Sequence, residues 1–167
     1  MKKVNYLAVA EEAMKKIEKG VFLTVKAGDR LNTMTIGWAT IGFCWQKPIF
    51  MIMVRNSRHT FSIIEDAADF TVSIPALDMK NAIMYCGTQS GRNVDKFKEL
   101  GMETKAAQQT TSPIMDVPGL HFECRIVHKS AMDPQFLDES YQSFYPEKDY
   151  HTLYFGEILE CYECSAC

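Results

Sequence analysis

Four stretches of this chain gather hydrogen-bonding and charged side chains at spacings that suit a ligand. Asn32-Thr33-Met34-Thr35 reads as a strand, so Asn32 and Met34 face one way and Thr33 and Thr35 the other. Amide and hydroxyl groups both give and accept hydrogen bonds, as the edge of a heteroaromatic ring demands. A plain strand that uses threonine for its β propensity has the same sequence. Arg55-Asn56-Ser57-Arg58-His59-Thr60 follows an apolar segment and precedes a helix. Arginine forks, hydroxyls and main-chain N–H groups converge there as a phosphate would require, though a solvated strand end with a hydroxyl helix cap is the plainer account. Cys86-Gly-Thr-Gln-Ser-Gly-Arg-Asn-Val-Asp-Lys-Phe97 places Ser90, Gly91, Arg92 and Lys96 in a donor-rich loop, or in a turn whose Ser90 or Asn93 caps the next helix. His151 stands alone at the start of a strand, as surface histidines also do.

Other chemistries lack their residues. There is no P-loop and no G-x-G-x-x-G, and no triad or paired-carboxylate site. Six cysteines lie at 44, 86, 124, 161, 164 and 167. The C-x-x-C spacings of the tail suggest zinc or an iron–sulfur cluster. A closed tetrahedral site needs a fourth ligand, however, and strand geometry sends residues three apart to opposite faces. The cysteines are therefore read as thiols in a reducing compartment, with no metal site.

The positioning elements follow from periodicity and punctuation. Leu7, Ala10, Ala13, Met14 and Ile17 recur at helical spacing before Gly20. Val21–Lys26 and Leu31–Thr40 read as strands joined by the turn Ala27-Gly28-Asp29-Arg30. Residues 41–48 read as a connection into Ile49–Val54, whose unbroken apolar run predicts burial on both faces. A short helix follows over about 60–67. Phe70–Ile74 and Leu120–Ile126 alternate as half-buried strands, and helices are predicted over 79–86 and 93–100. Residues 131–149, aromatic and acidic, read as a surface excursion before a strand over 152–162. The helices do not alternate regularly with the strands, so an antiparallel barrel with peripheral helices fits better than a βαβ sheet.

Composition narrows the function. The chain has 167 residues, 47% of them hydrophobic and 23% charged, with a net charge of −3. That balance advertises no face for nucleic acid or an anionic membrane. Glu11 and Glu12 break the apolar core that a signal peptide needs, and no run reaches membrane-spanning length. A cytoplasmic protein of one domain, 1–167, is the expectation.

Taken in order, Asn32–Trp38, Pro48 with the strand ending Val54-Arg-Asn-Ser-Arg58, Cys86–Phe97 and His151-Thr-Leu-Tyr-Phe-Gly-Glu-Ile158 resemble the flavin reductase-like family of FMN-binding split barrels, most closely its flavoredoxin branch. The resemblance implies a mainly β fold, a six-stranded antiparallel Greek-key split β-barrel with peripheral helices. It implies a homodimer that binds FMN near the subunit interface. Asn32, Thr33, Met34 and Thr35 would run along the isoalloxazine, with Thr33, Thr35 and main-chain N–H groups shaping its N1–O2 edge. Trp38 would serve as pocket wall or dimer packing, and Arg55, Ser57, Arg58 and Thr60 would hold the phosphate. Ser90, Gly91 and Lys96 would lie by the flavin or the partner subunit, and His151 by the reactive side as the catalytic residue. The activity implied is NAD(P)H:flavin oxidoreduction with NADH or NADPH as donor. The alternatives are a flavoredoxin-like carrier with tightly bound FMN, reduced by an iron–sulfur protein, and a non-catalytic barrel holding another planar ligand such as haem. The tail from Cys161 to Cys167 has no counterpart in the family pattern.

Overall fold

A computed structural model of the chain describes residues 1–165; the expectation for Cys167 lies outside them. In chain order the elements are β1 (Lys2–Lys3), α1 (Tyr6–Ile17), β2 (Val21–Ala27), β3 (Arg30–Ile36), β4 (Ala39–Cys44), β5 (Lys47–Arg55), α2 (His59–Ile64), β6 (Asp69–Pro75), α3 (Lys80–Thr88), α4 (Lys96–Leu100), β7 (Thr104–Lys105), β8 (Ile114–Met115), β9 (Gly119–Ala131) and β10 (His151–Cys164). The main sheet is antiparallel throughout, in the order β3-β2-β6-β9-β10-β5-β4, with β1 added on β10. β5 lies beside β10, yet the chain leads from it through α2 to β6 beside β2, a Greek-key kind of connection. β3 and β5 approach one another without a hydrogen-bonded ladder among the described residues, which leaves the barrel split between them.

The fold class is as expected; among the described residues the strand count is eight in this sheet rather than six, plus the ribbon β7–β8. Part of the difference comes from 31–48. The strand predicted to run to Thr40 stops at Ile36, and residues taken for a connection form β4 and a two-residue turn into β5. That turn is Trp45-Gln46, with φ of 52° and 59°. Two-residue hairpins with both φ positive favour Asn-Gly, so this pair carries no turn signal. Tertiary contact compensates, since the Trp45 ring packs against His128 and Phe155. Gln46 has no such aromatic packing, and Gln46→Gly is expected to relieve about 1 kcal/mol of left-handed strain. A melting curve should rise by about 2–4 °C; an unchanged or lower midpoint would show the turn is unstrained.

Burial corrects three further expectations. On β5, Phe50, Ile52 and Val54 enter the core, while Met51 and Met53 are half-buried on the opposite face. β6 is buried at every residue, and β9 is buried on both faces over 119–124. The loop before β8 covers their polar faces and satisfies them: Thr71 donates to Pro113 O, Asp69 accepts from Thr111 and Ser112 N–H, and Glu123 accepts from the N–H groups of Gln108, Gln109 and Thr110 and from Tyr162 OH. Buried polar groups are tolerated when paired in this way. Finally, α4 starts at Lys96 instead of 93, because Asp95, not Ser90 or Asn93, accepts the free N–H groups of Phe97 and Lys98.

Candidate functional site

The site is built on the open edge of β3. β2 and β3 join through the two-residue turn Gly28-Asp29, so Arg30, Asn32, Met34 and Ile36 exchange main-chain bonds with β2, and residues 31, 33 and 35 turn theirs outward. The bond from Lys96 Nζ to Thr33 O, 2.9 Å, confirms that direction. The side chains divide as strand geometry requires. Thr33 donates its hydroxyl to Leu23 O and Thr35 donates to Ile83 O, so both hydroxyls are engaged in packing behind the strand. Met34 and Asn32 face the other way, toward the split.

Two cavities lie there. The first, about 190 Å³, is lined by Met34, Trp38, Met53, Arg55, Arg58 and His151, among others. His151, expected by the reactive side of the flavin with a surface histidine as the plainer account, is buried at 7% exposure and its Nδ1 lies 2.8 Å from Tyr145 OH. Burial, helped by Arg55, lowers its pKa to about 4, so the ring is neutral near pH 7. Trp38 leans on that ring at 5.0 Å and keeps 40% exposure. Arg55 lines the cavity but donates to Phe144 O and Asp149 O, and its guanidinium lies 5.0 Å from the Tyr145 ring. Ser57 donates to the Asp149 carboxylate at 2.6 Å. In this structure, then, Arg55 and Ser57 hold the 132–150 excursion in place, where the sequence placed them on a phosphate. The contacts that engage them come from residues about 90 positions away.

The second cavity, about 160 Å³, is lined by Asn32, Met34, Arg58, His59, Gly91 and Arg92 together with Ser57, Thr60, Ser90 and Lys96. Arg58 donates to Gly87 O and Arg92 to Ser57 O, each through one nitrogen of its fork. Thr60 is buried and accepts from Asn32 Nδ2, which fixes the Asn32 amide. Lys96, 3% exposed, donates to Thr33 O and Cys86 O; burial lowers its pKa. His59 Nδ1 is buried without a hydrogen-bond partner among the described residues, and burial followed by Arg92 and Lys96 lowers that ring's pKa. A Cβ on Gly91 would fall against Asn32 Oδ1 and 2.8 Å from His59 Cδ2, so this loop can approach only as glycine. α2 has only six residues, so the cations and donors carry this end rather than a helix dipole.

The two cavities share Met34 and Arg58 and adjoin as one trough, with Trp38, Met53 and Arg55 added in the first and Arg92 and Lys96 in the second. A family model described as "Flavin reductase like domain" matches residues 14–166. The chain belongs to the flavin reductase-like family. Over 138 residues it is 24% identical to an uncharacterized protein of Archaeoglobus fulgidus, covering 83% of this chain and 68% of that one. Flavoredoxin of Desulfovibrio vulgaris (Miyazaki F) superposes with a TM-score of 0.69 at 24% identity, over 89% of this chain and 70% of the other. An NADH:FAD oxidoreductase of Streptomyces globisporus gives 0.65 at 17%, over 92% and 83%. At these identities the two superpositions speak for the fold.

A flavin suits this member of the family in its donor set. Of the outward groups on β3, Thr33 O is held by Lys96, which leaves Thr35, lining the first cavity, to match a ring edge; an anionic tail would meet Arg58, Arg92 and the orphaned His59 nitrogen. Of these, Arg92 was read as part of the donor-rich loop and His59 as part of the 55–60 cluster without being assigned to the flavin, and Met53 and Tyr145 were not singled out. A histidine inside an Arg/Ser/Thr cluster was the available signal for His59. No helix among the described residues is long and apolar enough to cross a membrane. No group of three or more His, Cys, Asp or Glu among them is placed to hold a metal ion.

Proposed function

We propose that this chain binds FMN in the trough and works as an NAD(P)H:flavin oxidoreductase. The observation that carries the reading is the buried, unpartnered His59 Nδ1 beside Arg58 and Arg92, at the end of a trough that follows the open edge of β3. Unpaired buried polar atoms are rare enough to point to a missing partner. His59, Arg58, Arg92 and Ser90 would hold the phosphate, with Gly91 letting the loop close on it. Main-chain groups of Thr35 would bind the ring edge, while Met34, Met53, Trp38 and His151 would wall it. Lys96 sits at the open edge, tying Thr33 O to Cys86 O in α3. When bound, the flavin supplies the redox chemistry, accepting a hydride or single electrons.

A second reading, an electron carrier with tightly held FMN, draws support from the likeness in fold to flavoredoxin. The two readings part in one experiment. FMN-loaded protein mixed anaerobically with NADH or NADPH should lose its flavin absorbance within seconds. Bleaching by a ferredoxin-type donor alone would favour the carrier, and a protein that neither colours nor quenches FMN fluorescence would defeat both.

The homodimer is part of this proposal. Met51 pairs with Phe155 and Met53 with Leu153, making a half-buried apolar stripe on the outer face of the sheet next to the trough. Sedimentation should give twice the mass of one chain; a monomer would remove that element of the proposal.

A further inference from the structure

We infer that Tyr145 is a positioning residue that fixes His151 as a hydrogen-bond donor, with its Nε2–H presented to the trough. This rests on the flavin reading for its purpose, but its geometry stands apart from it. The excursion between β9 and β10 is mostly exposed, yet Tyr145 within it is 5% exposed, with its hydroxyl 2.8 Å from His151 Nδ1. Both flanks of that tyrosine are tied down. Arg55 donates to Phe144 O and Asp149 O, Ser57 donates to Asp149, and Met132 N–H donates to His151 O. The Arg55 guanidinium and the Tyr150 ring then hold the Tyr145 ring from its sides, at 5.0 and 4.9 Å. A surface loop is thus folded so that one phenol meets one imidazole.

Two proton arrangements fit the distances: the phenol O–H given to His151 Nδ1 at 2.8 Å, or the O–H given to the Met132 thioether at 3.3 Å with Nδ1–H donating to the phenol oxygen; acceptor strength favours the first. An imidazole nitrogen is much the stronger acceptor of the two. With the O–H given to Nδ1, a neutral ring must carry its own hydrogen on Nε2. Burial favours the neutral form of both partners, raising the phenol and lowering the imidazole. Nε2 has no hydrogen-bond partner among the described residues, and His151 lines the first cavity. The trough therefore meets a donor there rather than a base, suited to a carbonyl or ring-nitrogen acceptor on the ligand. Such orientation of one ring nitrogen by a bond to the other is general for histidine.

The test begins without flavin. In ¹⁵N-histidine-labelled, flavin-free protein at pH 7, long-range ¹H–¹⁵N correlations should show His151 as the Nε2–H tautomer. In Tyr145→Phe the ring should become a mixture of tautomers, or Nδ1–H, while the other three histidines keep their signals. An Nδ1–H tautomer in the wild type would overturn the inference, as would a Tyr145→Phe spectrum with His151 unchanged. If Tyr145→Phe does not fold, the wild-type tautomer still decides. Flavin titrations of two further variants supply a second reading. His151→Gln places an amide N–H near the Nε2 position and should bind FMN within about 3-fold of wild type. His151→Asn reaches only the Nδ1 position and should lose about 10-fold, the worth of one hydrogen bond. The reverse order would count against the donor role. Failure of the wild type to bind FMN at all would sink the proposed function and leave the tautomer result standing.

Discussion

Gly91→Ala is expected to weaken FMN binding by about 10- to 100-fold, read from quenching of flavin fluorescence. The new methyl carbon would fall on Asn32 Oδ1 and close to His59 Cδ2. Neither neighbour gives way cheaply. Asn32 is short, buried and held through Nδ2 by Thr60, and His59, the first residue of α2, has its Nδ1 buried. Overpacking of this sort costs about 1–3 kcal/mol, and the loop can escape it only by lifting Ser90 and Arg92 away from the cationic end of the trough. The backbone at Gly91 is not left-handed, so the effect is purely one of space. Gly42→Ala is the matched control: its Cβ meets nothing within 4 Å, and binding should not change. If Gly91→Ala binds FMN within about 2-fold of wild type, the phosphate does not lie between this loop and His59.

What could be read from the sequence was whatever depends on neighbours in the chain. The β2–β3 hairpin announced itself through Gly28-Asp29, and the alternation of Asn32 and Met34 against Thr33 and Thr35 followed from strand geometry alone. The location of the cationic end came from Arg58, Thr60 and the Ser90–Gly91 loop, which the fold does bring together. The misses are long-range. Nothing near Arg55 or Ser57 foretells that Phe144 and Asp149 will engage them, and nothing near His151 foretells burial by Tyr145. Thr71, Ser73 and Glu123 alternate as solvent-facing residues should, but a loop from 108–115 covers them. Trp45-Gln46 turns the chain without any turn residue because an aromatic contact to β9 and β10 compensates for the strain.

Mild acid is expected to destabilise the flavin-free protein chiefly through two buried histidines, His121 and His151, with the His59 pKa lowered in the same direction, and the loss begins near pH 6.5. His121 is fully buried, and burial lowers its pKa to about 4 against the raising influence of Val117 O, Asp116 and Glu123; Lys105 acts with burial. Its neutral form fits a fixed chain. Val117 O can only accept, so Nε2 carries the hydrogen, and Nδ1 accepts from the Ser73 hydroxyl, which in turn accepts from Met115 N–H. His151, faced by Arg55, Arg58, Asp149 and Tyr145, is likewise lowered to about 4. For each ring the unfolded chain binds a proton at about pH 6.5 while the folded chain resists until about pH 4, so stability rises with pH across that window and is flat above it. The full window is worth about 3 kcal/mol per histidine. Glu65 and Glu157 have lowered pKa values, so their contributions fade only below about 4.5 and leave the interval from 6.5 to 5 to the histidines. Urea midpoints measured across that interval should fall steadily in the wild type. In His121→Gln the slope should drop by close to one proton even if the variant is less stable at every pH, because the slope counts protons and not contacts. An undiminished slope in His121→Gln would mean that His121 is protonated in the folded chain and that the Ser73–His121–Val117 relay is not held in its neutral form.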